Sequence, residues 1–147
     1  MCCLALSVTI FNLFLLVENI SGECRENWIT YDRDHTTCFK VITRERKPWD
    51  GAREFCKEEG GELTSIKDTD MNLFIKNRLG LTNNEKYWIG AFFSESWQWS
   101  DSSDFGTFAQ KRLAGGKVKS RKYVYLLNSK WRIASDDDCK GRKDPFI

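Results

Sequence analysis

Residues 87–93 read Tyr-Trp-Ile-Gly-Ala-Phe-Phe. Aromatic and β-branched side chains crowd both parities, which suits a strand buried on both faces. Such a strand must have material above and below it, and the rest of the chain must supply the cover. Trp97 and Trp99 follow within Ser-Trp-Gln-Trp-Ser-Asp. Alternate strand residues face the same way, so the two indoles should share a face. Residues 123–127, 130–134 and 145–147 predict three more strands, with Asn128-Ser129 as a tight-turn pair between the first two.

Upstream the periodicity changes. Residues 24–42 form a small hairpin. Trp28, Ile29 and Tyr31 make one short strand, and Cys38, Phe39, Val41 and Ile42 the other. Asp32-Arg33-Asp34-His35 is the polar turn between them. Pro48 suits the first turn of a helix. Trp49, Ala52, Phe55 and Cys56 then recur at helical spacing, and Gly60-Gly61 ends the run. Leu63 and Ile66 belong to a short extended link. Asp68 can cap a second helix striped by Met71, Phe74, Ile75 and Leu79 and stopped by Gly80. Residues 100–122 are polar with few apolar anchors and are expected to be a long surface loop, the kind that is usually functional or disordered. A hairpin, two helices and then strands point to an α+β domain: two helices flanking a small antiparallel sheet.

The 147 residues carry 23 basic and 21 acidic side chains, which excludes a bulk nucleic-acid binder. The first 22 residues are almost wholly apolar from Leu4 to Val17, with Asn12 the main interruption, and end in Ser21-Gly22, as in a cleaved secretory signal, although no Lys or Arg precedes the apolar run. Retention as a membrane anchor is the rival reading, and only then would the Asn19-Ile20-Ser21 sequon be glycosylated. Secretion leaves Cys24, Cys38, Cys56 and Cys139, an even set with three possible pairings in an oxidising compartment. A bond between Cys24 and Cys38 would close a short loop easily and contribute about 3 kcal/mol. Zinc is disfavoured: there is no Cys-x-x-Cys, and His35 is the only histidine. No enzyme is indicated either. His35 lies beside Asp34 without an evident nucleophile, and no glycine-rich phosphate loop occurs.

The hairpin with Trp28-Ile29 and Cys38-Phe39, the helix Trp-Asp-Gly-Ala-Arg-Glu-Phe-Cys, the following Gly-Gly-Glu-Leu-Thr-Ser-Ile, and Tyr-Trp-Ile-Gly-Ala-Phe with Trp-Gln-Trp-Ser-Asp together resemble the C-type lectin-like domain over residues 24–147. The resemblance implies a Cys24–Cys38 bond. It also implies that Cys56 pairs with a cysteine in the last strand, and that Cys139 pairs with one at the start of residues 123–127. Tyr123 stands at the latter position, and the sequence ends at Ile147 where the former would follow. The expectation is therefore a domain cut just before its last cysteine, with Cys56 and Cys139 unpaired and too far apart to bond each other.

Sugar-binding members of that family hold calcium with about 6 to 8 oxygen ligands. They draw these from a Glu-Pro-Asn or Gln-Pro-Asp motif in the long loop and from Trp-Asn-Asp on a strand. Here no proline or carboxylate lies between Asp104 and Asp136, and Trp131 is followed by Arg132 and Ile133. No metal and no cofactor are expected, and Asp136-Asp137-Asp138 is taken as solvated surface. What remains is a basic segment, Lys111, Arg112, Lys117, Lys119, Arg121 and Lys122, broken by Ala114-Gly115-Gly116 and able to grip an anionic surface. The expected function is a secreted or extracellular, calcium-independent recognition module for a protein or an anionic glycan. A membrane would be a partner only if residues 1–22 stay attached. The alternatives are a conventional calcium-dependent carbohydrate-binding lectin and a structural piece of a larger ectodomain with no ligand of its own. Two free thiols in a secreted chain would also invite intermolecular bonding.

Overall fold

The computed structural model describes residues 24–114, 118, 120, 122–134 and 143–147. The chain divides into two compact units, Met1–Cys38 and Phe39–Ile147. In the first, Asp34 organises the turn. Its carboxylate accepts from the backbone N–H of Thr37 (2.7 Å) and Thr36 (2.9 Å) and from the Thr37 hydroxyl (2.7 Å). The Thr37 backbone bond, then the Thr37 hydroxyl, hold the carboxyl below its ordinary value. Strand β1 (Ile29–Thr30) pairs with β2 (Cys38–Phe39), and Cys24 is bonded to Cys38 with 5.7 Å between Cα atoms.

The second unit is built on a six-stranded sheet. Its strands are β3 (Ile42–Lys47), β4 (Lys86–Phe93), β5 (Trp97–Trp99), β6 (Lys122–Leu127), β7 (Lys130–Ile133) and β8 (Asp144–Phe146). The order is β3-β8-β4-β6-β7, with β5 pairing on β4. Two expectations change here. The sheet is mixed rather than antiparallel. β8 enters between β3 and β4, antiparallel to β3, and so runs parallel to β4, with Trp88 opposite Phe146. The second hairpin strand does not continue to Ile42; it stops at Phe39, and a separate strand runs to Lys47. Thr43, Arg44, Glu45 and Arg46 of β3 are exposed, as suits a charged edge strand, and that polarity hides it from a hydrophobic pattern.

Helix α1 (Trp49–Glu58) starts after Pro48, which is extended at φ −64°. It ends as a Schellman motif. Gly61 N–H donates to Cys56 O (2.8 Å), Gly60 N–H donates to Lys57 O (2.9 Å), and Gly60 takes φ +81°. Helix α2 (Thr69–Arg78) is capped by Asp68, whose carboxylate accepts from Met71 N–H at 2.8 Å. Trp49 and Ala52 bury the inner face of α1 against Leu63, Trp88, Tyr123, Tyr125, Ala134 and Phe146. Trp49 donates from Nε1 to Ile89 O at 2.8 Å.

β4 is buried from Tyr87 to Ala91, and Gly90 is where the backbone comes closest. A Cβ there would lie 2.6 Å from Leu63 O and 2.8 Å from Ser100 Oγ. With only hydrogen in that space, Gly90 N–H donates to Thr64 O (2.8 Å) and Gly90 O accepts from Ser100 N–H (2.9 Å). The same link continues to the chain's last residue, where Thr64 N–H donates to Ile147 O at 2.8 Å.

Candidate functional site

The segment expected to be loop contains a third helix, α3 (Gly106–Leu113). Asp104 turns the chain into it by accepting from Gly106 N–H at 3.2 Å. No side chain caps the helix start. What holds α3 is burial. Phe105, Ala109 and Leu113, four residues apart, are all buried, and Ala109 has no exposed surface. That stripe is present in the sequence, but it has only three members and is surrounded by cations and glycines.

Lys111 and Arg112 are exposed on the last turn of α3, where positive charge suits the helix dipole. The Arg112 guanidinium lies 5.0 Å from the centre of the Phe108 ring. Phe108 meets Trp131 edge-on at 6.1 Å, and Trp131 donates from Nε1 to Asn72 Oδ1 at 2.9 Å. A chain of contacts therefore fixes Arg112 through β7 to α2. Lys122 opens β6 opposite Phe93. Lys117, Lys119 and Arg121 lie outside the described residues, as do Asp136, Asp137, Asp138 and Cys139. Of the six expected cations, the structure thus brings Lys111 and Arg112 onto one helix turn and places Lys122 on a strand.

Trp97 and Trp99 both reach Phe105, at 6.5 Å and 5.0 Å between ring centres. Trp99 is buried and Trp97 partly so. Trp99 is a core residue, and Trp97 packs at its margin against Phe93 and Phe105. Trp99 Nε1 has no hydrogen-bond partner among the described residues. Tyr123 belongs to the opposite face of the sheet. Its ring stacks on Trp49 at 4.5 Å, and its hydroxyl donates to Asp50 Oδ2 at 2.8 Å. An aromatic stack and a hydrogen bond tie α1 to β6 there.

Cys56 is half-buried against the same core. Burial first, then the charges of Glu62 and Glu59, push its thiol up to about 12. Asp101 behaves oppositely. Burial works against its charge, but bonds from Ser103 and Ser65 and the charge of Lys67 outweigh that and hold it below its ordinary value.

Lys130 and Arg132 are exposed and alternate with Trp131, which is buried. Among the described residues, no group of three or more His, Cys, Asp or Glu is arranged to hold a metal.

A model of the lectin C-type domain matches residues 45–147. This chain belongs to the C-type lectin family. Among curated proteins, this lectin domain is 31% identical over 133 residues to the C-type lectin lectoxin-Lei1 of Leioheterodon madagascariensis, covering 85% of this chain and 81% of that protein. It is 30% identical over 129 residues to natural killer cells antigen CD94 of Rattus norvegicus, covering 84% of this chain and 63% of that one. Among solved structures, the fold matches the Ca2+-independent C-type lectin SPL-2 from Saxidomus purpuratus. That match has a TM-score of 0.64 at 24% identity and covers 83% of this chain and 89% of the other.

Proposed function

We propose that this C-type lectin domain is an extracellular recognition module that binds its ligand without calcium. One observation carries the proposal. In β7, Arg132 and Ile133 follow Trp131 where sugar-binding members of the family place Asn and Asp ligands, and the Arg132 side chain is exposed. A guanidinium at a ligand position repels calcium instead of coordinating it. The loop half of the site lacks its carboxylate too, since residues 105–135 contain no Asp or Glu. SPL-2, which has the same fold, is a Ca2+-independent C-type lectin.

The ligand this chemistry favours is anionic, a glycan or an acidic protein surface. Lys111 and Arg112 on α3, Lys122 on β6, and Lys117, Lys119 and Arg121 between them are its proposed contacts. Neither nucleic acid nor catalysis enters the proposal. Release of residues 1–22 as a secretory signal fits the Cys24–Cys38 bond, which persists in an oxidising compartment. A membrane becomes relevant only if that segment is retained. Among the described residues, no helix is long and apolar enough to cross a membrane.

Calorimetric titration of the folded protein with calcium chloride tests the proposal. A flat trace is expected. A saturating isotherm in the millimolar range or tighter would overturn it and favour the conventional calcium-dependent reading.

A further inference from the structure

Residues directly opposite in register share a face of a sheet. Lys86 lies opposite Leu127, and Leu127 lies opposite Lys130. In the next row Trp88 lies opposite Tyr125, and Tyr125 lies opposite Arg132. Lys86 of β4 and Lys130 and Arg132 of the edge strand β7 therefore share one face. From strand geometry, Lys130 and Arg132 are about 7 Å apart along β7, and Lys86 is about 10 Å away across β6. Lys130 and Arg132 are exposed. The Lys86 ammonium lies over the Tyr125 ring, 4.4 Å from its centre.

The hairpin that carries this face, residues 122–134, has no acidic residue. Two carboxylates share a polar cavity with Lys86. Glu85 accepts from Thr82, Tyr87 and Arg46, and Asp144 is buried. Neither belongs to the hairpin on which Lys130 and Arg132 stand.

We infer that this face is a docking surface for a sulfated polysaccharide chain. The inference rests on the calcium-independent reading above and names its ligand class. Charge complementarity selects a polyanion, and the absence of an apolar anchor selects a glycan over a protein. Protein interfaces concentrate their energy in exposed aromatic or apolar groups that become desolvated. Here Tyr125 is buried, and the only exposed large hydrophobic among the described residues is Leu73, on α2. Cations set out across three adjacent strands can follow a repeating chain of sulfates through charge alone. The counterion release seen with nucleic acid applies to any densely charged polyanion.

Heparin serves as the probe, in calcium-free buffer, with rising sodium chloride. The intact protein should be retained at about 0.15 M salt and elute well above it. K130Q/R132Q should weaken binding by about tenfold or more and lower the slope of log affinity against log salt by about two. Because both side chains are exposed, the thermal unfolding midpoint should not move. K111Q/R112Q, on α3, should cost less. Unchanged retention of K130Q/R132Q would overturn the docking surface while leaving the calcium-independent reading in place. Retention that appears only when calcium is added would overturn that reading instead. Equal retention on polyglutamate would overturn the choice of a glycan.

Discussion

Helices α1 and α3 lie on different regions of the same sheet and are held in different ways. α1 carries its own termination signals and sets Trp49 and Ala52 into the central cluster. Neither helix has a side-chain bond from its N-cap residue; α3 is held by Phe105, Ala109 and Leu113 and by the contact of Phe108 with Trp131. One helix is specified locally and then packed. Both helices are too short to be stable alone, and α3 depends the more on its packing. Lys111 and Arg112 sit on the second kind of element. A recognition surface built there can vary without disturbing the core.

The sharpest way to break this contrast is Trp49→Ala. Its indole is almost fully buried, donates to Ile89 O and stacks on Tyr123. The loss should be about 3–5 kcal/mol in global stability, read by urea unfolding. A loss under about 1 kcal/mol would mean that the α1 side is not the main support of the unit.

Leu113→Ala is the matched change on α3. Leu113 is also buried, so an ordinary core cavity would cost as much as other leucine truncations. Because α3 is weakly specified, however, the helix should open locally, and the cost should stop at that opening free energy, under about 2 kcal/mol. Hydrogen exchange should quicken at residues 109–113 while β4 amides stay protected. A cost equal to that of Trp49→Ala, with no local change in exchange, would make α3 part of the central cooperative unit and erase the contrast.

The same contrast explains what could be seen in advance. α1 and α2 were legible because each combines helical spacing with an end signal, Gly60-Gly61 and Asp68 respectively. β4 was legible because its aromatic run admits no exposed face. α3 was hidden by its exposed cations and by the glycines that follow it. β3 was hidden because an edge strand shows charge instead of alternation. The family of the chain could be inferred from short motifs. The cationic face could not, because Lys86 and Lys130 are 44 positions apart and only the register of β4, β6 and β7 puts them together. Arg132 was visible as a lost calcium ligand; its neighbours were needed to show what could take the ion's place.

At neutral pH the smallest expected effect concerns Cys56, on the α1 side. With its thiol pushed up to about 12 by burial, and then by Glu62 and Glu59, it stays protonated in the folded protein well above the ordinary value of 9.0. The sign follows from linkage. Below pH 9 both folded and unfolded thiols hold the proton, and the group adds no pH dependence. Between 9 and 12 only the unfolded chain releases it, so stability falls as pH rises through that window. Cys56→Ala should flatten the fall. Since the thiolate is the nucleophile, iodoacetamide at pH 8 should label Cys56 far more slowly in the native protein than in urea. Peptide mass mapping identifies the labelled residue. Equal rates in the two states would show that burial on the α1 side does not protect Cys56.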